Sequence, residues 1–87
     1  VKNLPADIGP YETEQQAADT CRDAYGHPHV PGHMRATNRA RLTDACEAAG
    51  VELGAYDMHV LEWMTRWEPE VCAVVVGLVL RGAGEAR

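Results

Sequence analysis

The chain has 87 residues and a mass of 9.5 kDa, room for one domain that buries only about two thirds of the surface its unfolded form exposes, which excludes a large multi-site enzyme. Hydrophobic residues at 46% and charged residues at 24% match an ordinary globular chain, and no run reaches the ~18 apolar residues of a membrane-spanning helix. Thirteen Asp and Glu against eight Lys and Arg give a net charge of -5, which disfavours a protein that grips nucleic acid with its whole surface. Ser is absent, so a Ser-His-Asp triad is excluded. Cys21, Cys46 and Cys72 form no C-x-x-C pair. Their odd number, with no secretory apolar stretch ahead of them, predicts free thiols in a reducing, cytoplasmic setting.

In chain order, residues 1–12 carry Pro5, Gly9 and Pro10 without a helical period and predict an irregular arm, with Leu4, Ile8 and Tyr11 available to dock on the core. Thr13-x-x-Gln16 is a capping-box pattern and starts a helix over 13–25, with Ala17, Cys21, Ala24 and Tyr25 on its apolar face. Gly26, Pro28, Pro31 and Gly32 stop it, Gly26 being suited to a left-handed helix end. A second helix is expected over 33–49, with Leu42, Ala45, Cys46 and Ala49 inward and Arg35, Asn38, Arg39 and Glu47 outward. Gly50 closes that helix. A third follows over 55–67, where Tyr56, Val60, Leu61, Trp63, Met64 and Trp67 spread over a wide apolar face. Glu68-Pro69-Glu70 opens a fourth, with Pro at the first position and acids in the first turn. Its run from Val71 to Leu80 is wholly apolar, and the helix is expected over 69–81, with 82–87 a frayed tail. The expected fold is all-α: one four-helix domain with helical core 13–81 and an irregular N-terminal arm. Its core would centre on Leu42, Cys46, Val60, Trp63, Met64, Val71, Val75 and Leu78.

Between Asp23 and Asp44 there is no acidic residue, while Arg35, Arg39, Arg41, His27, His29 and His33 make this the one basic segment. Arg35 and Arg39 stand four apart on one helix face, where they can meet an acidic partner surface or phosphates. Across 42–60 the string LTDACEAAGVELGAYDMHV resembles the helix-turn-helix of lac-repressor-type regulators, with Cys46, Gly50 and Tyr56 at the small, Gly and hydrophobic positions. The resemblance implies a DNA-binding regulator with Arg35, Arg39 and Arg41 on phosphates. Glu52 stands where that family has Ser or Thr, and Gly54, Asp57 and Met58 fall within the reading helix.

Cys21, His27, His29 and His33 are ligand types that zinc prefers, and His29-x-x-x-His33 matches one half of a zinc pattern, so a zinc-stabilised domain is a third reading. No other cofactor is implied. The three cysteines fall inside apolar stripes, as core thiols do. No Gly-rich phosphate loop precedes a helix. What remains is a hydrophobic surplus: helices three and four are apolar over more surface than two short helices and an arm can cover. The sequence therefore points first to a non-enzymatic interaction module that self-associates or docks on a protein partner. Tyr56, Trp63 and Trp67 would make its apolar contact, with Arg35 and Arg39 adding charge steering.

Overall fold

The computed structural model describes residues 7–85, and Leu4 and the last two residues lie outside that range. Five helices follow one another: α1 Glu14–Asp19, α2 Arg22–Tyr25, α3 His33–Ala48, α4 Ala55–Met64 and α5 Pro69–Glu85, with no strand among the described residues. The all-α class stands, while the helix expected over 13–25 is two helices. Its start is as expected: Thr13 Oγ1 accepts from Gln16 N and Gln16 Oε1 accepts from Thr13 N. The break comes at Thr20, whose hydroxyl donates to Ala17 O at 2.7 Å. The Thr20 and Cys21 N–H groups reach back only three residues, to Ala17 O and Ala18 O. A hydroxyl that competes for helix carbonyls favours such a break. The freed Thr20 carbonyl accepts a hydrogen bond from Arg41 Nη1 of α3 at 3.1 Å, so the interruption is held from a distant part of the sequence.

α3 covers almost the expected range and ends in a Schellman motif: Gly50, at φ +75°, donates to Glu47 O, and Val51 donates to Cys46 O. Gly26, by contrast, ends α2 with an ordinary right-handed φ of -70°. α4 stops three residues short of the expected Trp67. Thr65 turns its hydroxyl onto Glu62 O at 2.6 Å, and Asn38 of α3 collects the carbonyls of Thr65 and Trp67, each 3.1 Å from its Nδ2. α5 runs on through Gly82 and Gly84 to Glu85, so positions 82–85 of the expected frayed tail are helical.

α3 and α5 form the principal packed pair, with α1 against α5 and both α2 and α4 against α3. Two clusters fill the interior. One joins Leu42 and Ala45 of α3 to Cys72, Val76 and Leu80 of α5, bordered by Ile8, Leu61 and Met64. The other joins Ala17, Cys21 and Ala24 to Ala73, with Tyr11 beside it. Ile8 and Tyr11 thus dock as expected of the arm. Small side chains let it approach: a Cβ on Gly77 would lie 2.3 Å from Ile8 O, a distance no real contact tolerates.

Trp63, Val71 and Leu78 are exposed where core positions were expected, and Leu42 and Cys46 are buried as expected. The uniform apolar run of α5 has no period of its own. Its phase is set by Cys72, Ala73, Val76 and Leu80, one stripe shared by the two clusters, which leaves Val71, Val74 and Leu78 on the opposite face. Asn38, expected outside, is fully buried. It sits four residues before Leu42 and so in phase with the buried side of α3. Among the described residues no helix is long and apolar enough to cross a membrane.

Candidate interaction surface

α4 contributes no fully buried residue. Its inner side meets α3 through Leu61 and Met64, and its outer side carries the aromatics. Tyr56 is 76% exposed and stacks on His59, with ring centroids 6.0 Å apart and planes 20° from parallel. Trp63 and Trp67, 52% and 47% exposed, meet edge to face at 5.3 Å. The turn that presents Trp67 is fixed from beneath by Asn38, through the Thr65 and Trp67 carbonyls. The aromatic pair therefore rests on an anchored backbone, and neither ring belongs to a core cluster.

Beside this face, Arg39 forks onto Glu62: Nε to Oε2 at 3.0 Å and Nη2 to Oε1 at 2.7 Å. The guanidinium hydrogen bonds hold the Glu62 carboxyl below its ordinary range and raise the arginine in turn. Arg39, Leu42, Thr43, Met58, Leu61 and Glu62 line a cavity of about 190 Å³ between α3 and α4. A second hollow of about 310 Å³ lies between the α3–α4 connection and α4, bounded by Cys46, Val51, Leu53, Tyr56 and Val60. The outer side of α4 and the turn after it thus carry two exposed aromatic pairs, with apolar hollows and an ion pair nearby.

The expected site residues separate into groups. Trp63 and Trp67 meet at the end of α4, while Tyr56 stands exposed near its start, stacked on His59. Arg39 stands at the rim with its charge matched by Glu62, while Arg35 is exposed beside the loop after α2. Arg41 does not share their face. It points to the α1–α2 break, donating to Thr20 O, 3.3 Å from Cys21 Sγ and 4.0 Å from Asp23 Oδ1. The three arginines therefore form no single basic row. In the segment that resembles a helix-turn-helix, Gly54 caps α4 from outside instead of lying within it, and Asp57 Oδ2 accepts the Gly54 N–H at 2.9 Å.

The zinc grouping of Cys21, His27, His29 and His33 is not assembled. Among the described residues the one trio of ligand atoms within 4.8 Å of one another is Glu14, Glu68 and Glu70. Cys21 is fully buried and touches Arg41, whose positive charge opposes a metal ion there. His27 and His33 meet edge to face at 4.7 Å, but His33 Nε2 donates to Asp23 O at 2.8 Å, which occupies that nitrogen. All three cysteines are free and buried. Burial pushes the Cys46 and Cys72 thiols up, away from a reactive thiolate.

Three structural residues escape a reading by composition: Asn38, Arg41 and Gly77. Only Asn38 left a signal, its phase with Leu42, Ala45 and Cys46. No protein-family model, curated protein or solved structure matches the chain.

Proposed function

We propose that this chain is a non-enzymatic helical interaction module, which self-associates or docks on a protein partner through the aromatic face of α4 and the turn after it. The observation that carries this reading is the Trp63–Trp67 pair: two rings in mutual contact, about half exposed, at the end of α4 and on the turn that the Asn38 amide holds through the Thr65 and Trp67 carbonyls. Their solvent-facing halves amount to on the order of 200 Å² of aromatic surface, or about 5 kcal/mol of burial before ordering costs. In a free monomer that surface contributes nothing to the core. A protein contact uses it fully, and tryptophan is over-represented among residues that dominate such contacts. Arg39 and Glu62 supply a polar rim already neutral in itself, so steering by charge falls to Arg35.

The test is the double substitution Trp63→Ala and Trp67→Ala, followed by sedimentation velocity of the purified chain and affinity capture from extract. Association should weaken by roughly 30-fold or more, the factor equivalent to about 2 kcal/mol, while the circular-dichroism spectrum stays unchanged. Loss of the helical spectrum would place the tryptophans in the folding core and refute the reading. So would association, with itself or with a captured protein, that is indifferent to both rings.

A further inference from the structure

The outer face of α5 presents Val71, Val74 and Leu78, all exposed, with Trp67 in the turn one step before them. Within α5 the spacing 71, 74, 78 is three then four, the seam by which one helix packs along another. On one flank of this seam stand Glu70 near the start of α5 and Arg81 near its end, three turns apart. Glu14, Glu68 and Glu70 bring carboxylate oxygens within 4.8 Å of one another, and among the described residues no Arg, Lys or His forms an ion pair with any of them. Between α1 and α5, next to Val71 and Val74, lies a hollow of about 310 Å³ with Tyr11 and Ala17 in its lining and Glu12, Glu14 and Glu70 at its edge. Leu78, at 58% the most exposed large aliphatic side chain among the described residues, belongs to neither core cluster.

Resting on the reading of the chain as an interaction module but using a different face, we infer that the occupant of this seam is a second copy, packed antiparallel along α5 about a two-fold axis near Val74 and Val75. That arrangement lays Leu78 of the second copy over Val71 and the hollow beside it. Arg81 of the second copy then lies over the acidic start of α5, since residues on the same flank of two antiparallel helices face each other. Both contacts occur twice, as a self-complementary interface requires. Parallel pairing would leave Arg81 of each copy three turns away from the acidic start of the other. The seam is short beside the roughly 800 Å² per partner of a standard interface, so the dimer is weak and its formation depends on concentration in the micromolar range. The aromatic face of α4, apart from Trp67 at the end of the seam, remains open on both copies.

Sedimentation velocity over a broad concentration series tests this with four proteins: the native chain, Leu78→Asp, Arg81→Glu, and the double variant Glu14→Arg with Glu68→Arg. The native mass should climb from 9.5 kDa towards twice that value. Each variant alone should need at least tenfold more protein to dimerise, with its helical spectrum retained. An equimolar mixture of Arg81→Glu with the double variant should dimerise again, because each chain then supplies the charge the other lacks. Dimers that persist in Leu78→Asp and Arg81→Glu overturn the inference, as does a mixture that fails to associate. A dimer abolished by Trp63→Ala with Trp67→Ala yet untouched by Leu78→Asp overturns the α5 seam and leaves the interaction module standing. A native chain that is monomeric throughout also overturns the seam, and the module then rests on the capture experiment alone.

Discussion

Replacing Asn38 by Ala removes the amide that ties the turn after α4 to α3. Its Nδ2 donates to Thr65 O and Trp67 O, both at 3.1 Å, and the residue is fully buried. Each carbonyl left without a donor costs about 1–3 kcal/mol, the buried Thr65 carbonyl more than the partly open Trp67 carbonyl. Removal of Asn38 Oδ1, which has no partner of its own, returns a part. The net loss is about 3 kcal/mol, against a total stability of about 4–13 kcal/mol for a chain of this length. Thermal unfolding followed by circular dichroism should shift down by about 12–24 °C. Asn38→Asp should be worse at neutral pH, since a buried carboxylate would face two carbonyl oxygens. The penalty raises that carboxyl's folded-state pKa, so the lost stability should return as pH falls and the group protonates. A shift of less than about 4 °C for Asn38→Ala would refute the claim that this amide anchors the turn carrying Trp67.

Gly77→Ala should destabilise the protein even though Ala is the better helix former by about 1 kcal/mol, because its Cβ would collide with Ile8 O. Faster proteolysis within the arm would show the displacement, and an unchanged cleavage rate would contradict it. Tyr25 is pushed up to about 12 by the hydrogen bond it donates to the Glu70 carboxylate, with burial and the Glu70 charge adding to it. The folded chain thus holds that proton beyond the unfolded value of 10.0, so the stabilisation is whole below pH 10 and is lost as pH rises through 12. Ultraviolet titration should show Tyr25 ionising late and titrating earlier in Glu70→Gln; no change in that variant would remove the assignment. Cys46 and Cys72, buried and raised by burial, should resist iodoacetamide in the native chain and react at once after denaturation. Rapid native alkylation at either position would contradict their place in the core.

Much of the fold can be read from local chemistry. Thr13 and Gln16 announce the start of α1, Gly50 the end of α3 and Pro69 the start of α5, because each satisfies or removes a backbone donor at a helix end. What could not be read depends on contacts distant in sequence. The break at Thr20 is held by Arg41, twenty-one residues on, and α4 ends where Asn38, twenty-seven residues back, captures the Thr65 carbonyl. The phase of α5 was illegible for a different reason: ten apolar residues in succession give every face the same hydrophobicity. Packing decided it through the small Cys72 and Ala73, and so turned Val71 and Leu78 from expected core into surface. Of the candidate site, the place of Tyr56 and Trp63 on one side of α4 follows from their seven-residue spacing, while the meeting of Trp67 with Trp63 depends on the turn after Met64. The separate employment of Arg39 and Arg41 does not, since it depends on which face of α3 meets α4 and which meets α2.

Trp63 and Trp67 are the only tryptophans in the chain, so tryptophan emission comes from these two rings, of which Trp63 stands on the proposed contact face alone and Trp67 also at the end of the α5 seam. Acrylamide quenching of that emission, measured on the dilute monomer and on the associated form, with itself or with a captured partner, tests the module most directly. Strong quenching in the monomer that falls on association, with a blue shift of the emission, is the result expected of rings about half exposed and then covered. Equal quenching in both forms would mean that no partner covers this face and would contradict the proposed function.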